Sequence, residues 1–508
     1  MNESLWIAGS KGMRFKALKE NIDVELLIIG GGLVGVNTAY LLSKEGVDVT
    51  LVDAGLIGYS TSGRNTGKLT PQSGLVYAQI KKKYGIDKAK EFYNTSQSAF
   101  RLIEETIKAY NIPCELEKMP SYIYTERLNQ MASFEEEYKV YEELGIQGEL
   151  VNKIDLPIHI KIAISQTEAG AYNPKKYIDG LVPILVNQGV KIYENTPVTH
   201  IQKDKSAYEV TIADTFKIKA RQVILCSQYP FYDHYSFYLT RLRPEASYVV
   251  AGEYTKDFPH ASFINLDHPT RSFRPYYTNN KKWLLIGGDN HKVGQDMTNH
   301  YEELMAYGRS TFGIENYAYK WGAQDYKTSD EVPYIGYLNE HSDNMYVATG
   351  FNKWGNINAM VAARLISRMI VDKKSSDVSV YDPSRSKDYF TGTYIKENSN
   401  TIFEWIKSKI KPTDGKLPDE SGSATIIKID GKKYGVYKGD EGKLHILDIT
   451  CPHMGAELNW NQTDKTWDCP CHGSRFSYEG KVVKGPATYT LHKYGEGNNP
   501  VDPEVLQN

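Results

Sequence analysis

The sequence predicts an α/β protein with a Rossmann-like nucleotide-binding domain, a separate second sheet and a small all-β domain. Three observations predict this. An apolar run at 24–29 leads into Gly30-Gly-Gly-Leu-Val-Gly35, a helical segment and a second apolar run that ends in Asp53. Short strand-like stretches fill residues 241–288 and predict the second sheet. Several short strands bounded by glycines at 424–449 begin the all-β domain.

The glycine turn has the strand, helix, strand and acid context that a dinucleotide site requires. Gly30 permits the tight turn, Gly32 lets the backbone approach a pyrophosphate, and Gly35 lets helix and strand pack closely. The helix N-terminus then faces the phosphates, and Asp53 can hydrogen-bond the adenosine ribose. The alternative is a glycine-rich turn with Asp53 as a surface charge. FAD and NAD share this fingerprint, so later segments must decide between them.

Two further loops favour FAD. Residues 58–67, GYSTSGRNTG, offer many backbone donors, which suits a flavin's pyrophosphate and ring, although the loop could also be merely flexible. A second glycine turn at 350–355 leads into a helix whose amide dipoles could point at the flavin. The candidate FAD-binding residues in these loops are Arg64, Asn65, Gly67, Lys68, Gly350, Phe351, Asn352 and Gly355.

Residues 451–476 carry a metal-ligand pattern. A Cys-x-His is followed, after a fifteen-residue gap, by a Cys-x-x-His in the frame CPCHGS. This is the pattern of a Rieske [2Fe-2S] centre, in which Cys451 and Cys469 hold one iron and His453 and His472 hold the other. Gly485-Pro-Ala would supply the proline-containing loop over the cluster. The alternative is a structural zinc site, but zinc fingers space their ligands differently.

The overall composition gives no sign of two classes of partner. The chain has 508 residues and a net charge of −2, which gives no support for a nucleic-acid or anionic-membrane partner. It shows no basic-then-apolar leader and no long apolar run, so we expect a cytoplasmic protein without a membrane span. Cys114 and Cys226 are far apart and do not suggest a disulfide framework. The totals leave the oligomeric state open.

The chain resembles, from end to end, D-amino-acid oxidase and glycine oxidase type FAD-dependent oxidoreductases fused to a Rieske domain. The motifs that carry this resemblance, besides the cluster motif, are GGGLVGVNTAYLL at Gly30–Leu42, SGRNTGKLTPQ at Ser62–Gln72, NPKKYIDGL at Asn173–Leu181, GGDNHKVGQ at Gly287–Gln295, WGAQDYKTSDEVPYIG at Trp321–Gly336, ATGFNKWGN at Ala348–Asn356 and YDPSR at Tyr381–Arg385. The resemblance implies FAD rather than NAD, a discontinuous FAD domain, and an inserted α+β substrate domain whose sheet roofs the substrate.

These considerations predict the following domain boundaries. Residues 1–23 form an N-terminal arm, 24–372 the flavoprotein, 373–423 a linker with one helix, and 424–508 the Rieske domain. Within the flavoprotein, the FAD-binding parts cover about 24–85, 165–235 and 325–372, and the substrate domain covers about 86–164 and 236–324.

The cluster motif departs from that of respiratory Rieske proteins at two positions. Those proteins bridge an extra Cys of the first motif to the middle Cys of CPCH, but Ala456 stands at the first position, so Cys471 lacks that partner. They also carry Tyr where this chain has Phe476, whereas Ser474 is kept. Loss of one hydrogen-bond donor to the cluster predicts a potential below that of respiratory Rieske centres.

The resemblance implies an oxidoreductase that oxidises a small molecule at a carbon-nitrogen bond, in an amine or amino acid. Reduced FAD would pass single electrons to the cluster, and the cluster would reduce an external acceptor or redox protein. Arg274, Tyr276 and His291 are the substrate-site candidates, because Arg and Tyr often clamp a carboxylate. The alternatives are an electron-transfer module for a partner protein and a redox or iron sensor without turnover. A Rieske oxygenase is disfavoured, because we find no convincing facial triad.

Overall fold

The computed structural model describes residues 3–278, 281–296, 298–373, 379–385 and 392–495. Parts of the predicted linker (374–378 and 386–391) and the end of the predicted Rieske domain (496–508) lie outside the described residues. Across the described residues the chain forms two compact units. The first comprises Met1–Pro230, Ser247–Asn290 and Tyr301–Ser386, and the second comprises Phe231–Ala246, His291–His300 and Lys387–Asn508.

The helices are α1 Leu5–Ala8, α2 Leu33–Lys44, α3 Val76–Tyr84, α4 Ile86–Ala109, α5 Met131–Leu144, α6 Pro174–Asn187, α7 Tyr238–Arg241, α8 His300–Phe312, α9 Gly355–Val371 and α10 Gly392–Ile410. The strands up to the first half of the chain are β1 Ile22–Ile29, β2 Val49–Val52, β3 Lys68–Leu69, β4 Glu117–Lys118, β5 Ser121–Thr125, β6 Leu150–Val151, β7 Ile162–Gln166, β8 Gly170–Ala171, β9 Lys191–Tyr193, β10 Val198–Asp204, β11 Ala207–Ile212, β12 Phe216–Leu225 and β13 Arg243–Glu253. The later strands are β14 Ser262–Asn265, β15 Arg271–Thr278, β16 Lys281–Lys292, β17 Tyr317–Lys327, β18 Tyr334–Tyr337, β19 Met345–Thr349, β20 Ala424–Ile429, β21 Lys432–Lys438, β22 Leu444–Asp448, β23 Asn459–Asn461, β24 Thr466–Asp468, β25 Arg475–Ser477 and β26 Val482–Lys484.

The first sheet of the first unit is the nucleotide-binding sheet. Its strand order is β10-β11-β12-β1-β2-β9, with β19 paired to β12 and β18 paired to β19. Strand β1 runs parallel to both β12 and β2, and its last four residues are all buried, as is the whole of β2. Continuous apolar strands of this kind are typical of a parallel sheet covered on both faces. The turn after β1 therefore opens at the carboxyl edge of the sheet, where α2 begins.

The second sheet of the first unit joins segments that are distant in sequence. Its order is β17-β13-β16-β15-β14-β5-β7-β6, so strands from 121–166 continue a sheet built from 243–327. Strands β14 and β5 provide the junction by pairing in parallel, with Phe263 beside Tyr122. The expected α+β domain, inserted into a Rossmann-like domain, is confirmed.

The second unit contains small antiparallel sheets with the orders β20-β21-β22 and β23-β24-β25-β26. Trp467, Phe476, Leu447 and Ile449 lie in their common core. The all-β domain predicted at the C-terminal side is confirmed. The helix predicted in the linker near 401–411 is present as α10. It is longer than expected and begins at Gly392. Within the described part of the chain, no helix combines the length and apolar character needed to cross a bilayer.

Candidate functional site

The turn between β1 and α2 is closed tightly enough to require glycine. Gly30 has φ +113°, and a Cβ placed there would lie 2.6 Å from the Cys226 carbonyl oxygen. A Cβ on Gly35 would lie 1.9 Å from the carbonyl oxygen of Gly30. Gly32 is the N-cap of α2 and supplies no side-chain cap, which leaves the start of the helix open for an anionic group.

Asp53 and the following loop frame this helix start. The Asp53 carboxylate accepts hydrogen bonds from the amides of Gly31 (2.7 Å) and Gly55 (2.7 Å), so it is fixed at the end of β2. The Leu33 amide donates to Ser62 Oγ at 2.9 Å, which ties the 58–67 loop to the first turn of α2. A glycine cradle, a helix N-terminus and an anchored carboxylate are the groups that an FAD pyrophosphate and ribose need.

Residues 64–68 form a closely packed segment of this loop. Arg64 Nε donates to the Tyr59 carbonyl at 3.2 Å, and Asn65 Oδ1 accepts from the Gly67 amide at 2.7 Å. Gly67 has φ +67°, and a Cβ there would lie 2.3 Å from Arg274 Nη1. Glycine is therefore needed at 67 for two reasons, the backbone conformation and the space that Arg274 occupies.

Asn356, which sequence reasoning did not select, connects this segment with the second glycine turn. It lies in the first turn of α9, and its Nδ2 donates to the Lys68 carbonyl at 2.9 Å and to Asn65 Oδ1 at 3.2 Å. The start of α9 is thereby joined to the loop that carries Asn65 and Lys68. The available signal was its place at the end of the ATGFNKWGN motif.

The other candidates in the second glycine turn divide into two kinds. Gly350 has φ +69° and Gly355 is the first residue of α9, so both shape the backbone, while Phe351 is half-buried. Asn352 uses its side chain internally, because Oδ1 accepts from the Thr328 amide at 2.9 Å and Nδ2 donates to the Gly350 carbonyl at 2.8 Å. The structure thus gives Asn352 a loop-holding role.

Lys68 and Arg274 are neighbouring cations, of which Arg274 is buried and Lys68 is half-buried. Lys68 Nζ donates to the Phe263 carbonyl at 2.7 Å, and Arg274 Nη1 donates to the carbonyls of Thr66 (2.7 Å) and Tyr172 (3.1 Å). Burial, reinforced by the charge of Arg274, lowers the pKa of Lys68 to about 7, and burial lowers the pKa of Arg274 to about 10. Neither cation forms an ion pair with a carboxylate among the described side chains. A buried charge of this kind is costly unless an anion compensates it.

Tyr276 and Trp6 complete the surroundings of Arg274. The Arg274 guanidinium lies 5.4 Å from the centroid of the Trp6 ring and 5.5 Å from that of Tyr276, and the two rings meet edge to face at 4.8 Å. Trp6 Nε1 donates to the Asn65 carbonyl at 2.6 Å. Tyr276 interacts through its hydroxyl with Glu115 Oε2 at 3.4 Å, and burial and this carboxylate raise the pKa of Tyr276 to about 12. The predicted N-terminal arm therefore contributes Trp6 to the candidate substrate region.

The third substrate-site candidate, His291, belongs to the second unit. Its ring stacks on His300, with centroids 4.3 Å apart and an interplanar angle of 9°. Burial and the neighbouring His300 lower the pKa of His291. The structure brings Arg274 and Tyr276 together and gives His291 different surroundings.

The two proposed cluster loops have the same backbone pattern. In the first, the Cys451 amide donates to the Ala456 carbonyl and the Gly455 amide to the Cys451 carbonyl, both at 2.8 Å. In the second, the Cys469 amide donates to the Ser474 carbonyl at 2.8 Å and the Gly473 amide to the Cys469 carbonyl at 3.2 Å. Both glycines have positive φ, +70° and +78°. The repeat in the fold presents the two cysteines in equivalent positions.

The four predicted cluster ligands are arranged as two pairs. The thiols of Cys451 and Cys469 are in hydrogen-bonding contact, which raises the pKa of Cys451. The rings of His453 and His472 are 5.1 Å apart at 86°, and burial lowers the pKa of both, that of His472 to about 4. Neutral imidazoles are the form that binds metal.

The arrangement of the ligands as a thiol pair and an imidazole pair helps to distinguish a binuclear iron-sulfur cluster from a site for a single zinc ion. Within the described ranges, no three His, Cys, Asp or Glu side chains converge on a position for a single ion. A thiol pair and an imidazole pair fit a binuclear cluster with a different ligand type on each iron better than a tetrahedral zinc site.

Residues around the ligands support them from other elements. Ser474 is fully buried, contacts the Cys451 thiol and accepts a hydrogen bond from the Ala487 amide at 3.0 Å, which places the Gly485–Ala487 segment next to it. Cys471 is a free thiol whose Sγ lies 3.7 Å from the Thr401 carbonyl of α10. Helix α10 thus contacts the position at which respiratory relatives have a disulfide.

A loop of the second unit also approaches the second cluster loop closely. Gly294 has φ +71°, and a Cβ there would lie 2.8 Å from the Pro470 nitrogen. Gln295 Nε2 donates to the Pro470 carbonyl at 3.0 Å, and Asn459 Nδ2 donates to the Gly294 carbonyl at 2.7 Å. Sequence reasoning missed this role of Gly294, because the contact joins residues far apart in the chain.

Comparison with known proteins agrees with both regions. The family described as FAD dependent oxidoreductase matches residues 25–369, and the Rieske [2Fe-2S] domain matches residues 413–495. YhfW of Bacillus subtilis (strain 168), which bears the name of a Rieske 2Fe-2S iron-sulfur protein, is 35% identical over 493 residues, covering 96% of this chain and 97% of its own length.

More distant relatives resemble the flavoprotein part. Gamma-glutamylputrescine oxidoreductase of Escherichia coli (strain K12) is 25% identical over 378 residues, covering 72% of this chain and 87% of its own length. The crystal structure of glycine oxidase from Geobacillus kaustophilus superposes with a TM-score of 0.61 at 16% identity, covering 72% of this chain and 99% of that one, and shows the shared fold. The chain therefore belongs to the FAD-dependent oxidoreductase family, and it carries a Rieske [2Fe-2S] domain in addition to its FAD-binding domain.

Proposed function

We propose that this oxidoreductase oxidises an amine that also bears a carboxylate, an amino acid being the simplest case, and that its electrons pass through the cluster to an external acceptor. The observation that carries the substrate class is the pair of half-buried Lys68 and buried Arg274, which have carbonyl partners and no carboxylate partner among the described residues. A buried positive charge with a second, half-buried one beside it favours an anionic ligand. The names of the oxidoreductase and glycine oxidase relatives support the same class.

The side chains have separate tasks in this proposal. Arg274 holds the substrate carboxylate, because a guanidinium can donate in a bidentate fashion. Lys68 adds a second, titratable charge, since its pKa of about 7 lies near neutral pH. Trp6 and Tyr276 pack against the guanidinium and keep water from it.

The geometry described above supports the cofactor ligands that we propose. Cys451 and Cys469 hold one iron and His453 and His472 hold the other, while the glycines of the turn after β1, with Asp53, hold the FAD. When bound, FAD accepts two electrons from the substrate and the cluster accepts them one at a time.

The test is an anaerobic reduction. Protein loaded with both cofactors is mixed with pools of amines, amino acids and the corresponding amino-acid amides, while flavin absorbance and the electron paramagnetic resonance signal of the reduced cluster are followed together. We expect amino acids to bleach the flavin first and the cluster signal to follow. The amides should react more slowly, because they lack the charge that Lys68 and Arg274 favour.

Other outcomes separate the parts of the proposal. Equal rates with amino acids and their amides would remove the carboxylate from the substrate class while leaving amine oxidation intact. Bleaching of the flavin without a cluster signal would contradict electron transfer within the chain. If none of the compound pools bleaches the flavin but a reduced redox protein reduces the cluster, the chain is an electron carrier and the substrate proposal fails.

A further inference from the structure

Helix α10 is part of the second unit, and its polar side packs against the rest of that unit. Glu404 and Ser408 are only 8% and 7% exposed. Glu397 forms ion pairs with Lys292 (2.7 Å) and Arg243 (3.4 Å), which lie in segments of the same unit. Ser408 Oγ accepts a hydrogen bond from the Glu457 amide at 3.2 Å. Most surface helices bury an apolar stripe instead, so the packing of α10 is inverted.

The opposite side of α10 is apolar and exposed. Ile402, Phe403 and Ile410 are 62%, 61% and 75% exposed, and Ile395 and Ile406 are also about half exposed. At 100° per residue these positions lie within one sector of the helix, which runs over its whole length. We call this surface the outward face of α10. Contiguous exposed apolar surfaces often mark interaction sites.

Lysines border the outward face. Lys396, Lys407 and Lys409 are exposed on α10, and Lys411 follows its last residue. The carboxylates of the helix, Glu397 and Glu404, lie on the inner side, where Glu397 pairs with Lys292. Two of the bordering lysines also have carboxylate partners, since Lys407 pairs with Glu404 at 3.2 Å and Lys409 lies 3.8 Å from Glu457. Because these lysines are exposed while the carboxylates are buried or half-buried, the solvent-accessible charge at the border of the apolar centre is mainly positive. The net charge of −2 for the whole chain conceals this local asymmetry.

The outward face continues onto a cluster loop. Trp405 Nε1 donates to the Met454 carbonyl at 3.2 Å, and both side chains are nearly half exposed. Met454 follows the proposed ligand His453, and on another side of the helix the Cys471 thiol meets the Thr401 carbonyl. Whatever binds the outward face is therefore held next to the cluster loops.

We propose that the outward face of α10, with Met454, binds the surface of an anionic lipid bilayer. A Lys-bordered helix with Phe, Trp and Ile on one side is the pattern of helices that lie in the plane of the membrane interface. Lysines near the surface attract anionic headgroups, and the buried apolar side chains supply the remaining affinity. The stripe from Ile395 to Ile410 contains Ser399 as its one polar side chain, so it offers few directional hydrogen bonds to a folded partner. Bilayer binding would bring the cluster loops to the lipid surface.

The experiment measures vesicle binding by the protein loaded with both cofactors. Co-sedimentation is compared between vesicles of phosphatidylcholine alone and vesicles of equal parts phosphatidylcholine and phosphatidylglycerol, at low and high salt. We expect binding to the anionic vesicles, with weaker binding at high salt because screening reduces the contribution of the lysines.

Charged substitutions test the outward face directly. Phe403→Glu and Ile406→Glu should each lower the vesicle partition coefficient at least about tenfold, because a buried apolar contact is replaced by a charge that the anionic surface repels. Leu128→Glu is the matched control, since Leu128 is at least as exposed as Phe403 and Ile406 but lies in the first unit. FAD content and the cluster signal of each variant report that the protein is folded.

Each remaining outcome overturns the proposal. Equal binding to neutral vesicles would remove the anionic surface as the partner. Absence of vesicle binding would exclude a bilayer altogether, and if light scattering then shows an oligomer that Phe403→Glu disperses, the outward face is an interface between copies of the chain. Loss of binding in Leu128→Glu to the same extent as in Phe403→Glu would show that the effect is not specific to α10.

Discussion

The flavin region and the cluster region are built in opposite ways. The cluster region takes its four proposed ligands from two loops between 451 and 472, and side chains do the binding. The flavin region takes its groups from loops near 30, 53, 65 and 355, and glycine backbone and helix N-termini supply most of them. A side-chain ligand set depends on a few atoms, whereas a backbone cradle depends on how distant segments pack. Replacing one ligand in the cluster region should therefore abolish cluster binding, whereas a single substitution in the flavin region should weaken cofactor or substrate binding only in part.

The largest expected effect is in the cluster loops. Cys469→Ser should abolish the cluster, because a hydroxyl does not replace a thiolate as an iron ligand, while FAD content is unchanged. Iron and sulfide analysis with electron paramagnetic resonance measures this. Cys471→Ser is the matched control from the same loop and should keep its cluster. Equal loss of iron in the two variants would contradict the ligand assignment.

A smaller effect is expected where distant segments of the flavin unit are fastened together. Arg385 donates to both carboxylate oxygens of the buried Asp330 at 2.8 and 3.0 Å, joining the YDPSR motif to the segment before β18. Arg385→Ala should destabilise the protein by about 3–5 kcal/mol, because it leaves a buried carboxylate unpaired. Denaturant unfolding of the FAD-loaded protein measures the loss.

The Asp330–Arg385 ion pair should also make the stability of the protein depend on pH under acidic conditions. Burial alone would raise the pKa of Asp330, but Arg385 lowers it to about 2, below the ordinary 3.8. Its contribution to stability is thus present above about pH 4 and is lost as the pH falls through about 2. Arg368→Ala, at an exposed pair with Asp372, is the control and should cost less than about 1 kcal/mol. Similar losses of stability in Arg385→Ala and Arg368→Ala would show that burial of the ion pair does not determine its contribution.

The proposed carboxylate site should respond at an intermediate level. Arg274→Lys should weaken the binding of an amino acid about 10–100-fold, since a charge-assisted bidentate contact is worth roughly 1.5–3 kcal/mol. The corresponding amide, which has no carboxylate, serves as the internal control and should lose little. Flavin absorbance under anaerobic conditions measures both. A parallel loss for acid and amide would assign Arg274 a purely structural role.

The lowered pKa of Lys68 predicts a pH dependence of carboxylate binding. An anion raises the pKa of Lys68 from its value of about 7, so binding takes up a proton and should weaken by up to about tenfold per unit above pH 7. A carboxylate without an amine group, titrated through the flavin spectrum, isolates this effect from turnover. Lys68→Met should flatten the profile, and a profile that survives the substitution would point to another group.

The smallest effect concerns the cluster potential. Phe476 is fully buried on β25 at the position where respiratory relatives have Tyr. Phe476→Tyr should raise the potential by about 20–60 mV, the one-electron equivalent of a hydrogen bond worth about 0.5–1.5 kcal/mol. Redox titration measures the change. The unmodified protein should titrate below respiratory Rieske centres, and a value equal to theirs would refute the prediction.

The sequence by itself determined the features that are local in the chain. The turn after β1 and the ligand pairs in the cluster motif lie within short segments, so their spacing specifies the chemistry. The N-cap of α6 is equally local: Asn173 Oδ1 accepts from the Lys176 amide at 3.1 Å, as Asn before Pro174 predicts. For the same reason the dinucleotide fingerprint and the cluster pattern could be recognised in the sequence, whereas the choice of FAD over NAD and the inserted domain came from the resemblance to a family.

Only the tertiary structure decided the contacts between distant segments. Some of these contacts join residues that no local pattern relates. Trp6 packs against Arg274, Asn356 hydrogen-bonds with both Asn65 and Lys68, and Gly294 lies close to Pro470. His291 and Arg274 are close in sequence, yet they belong to different units. The physical reason is that backbone periodicity fixes which side of an element a residue occupies, whereas its neighbours depend on which other elements pack there.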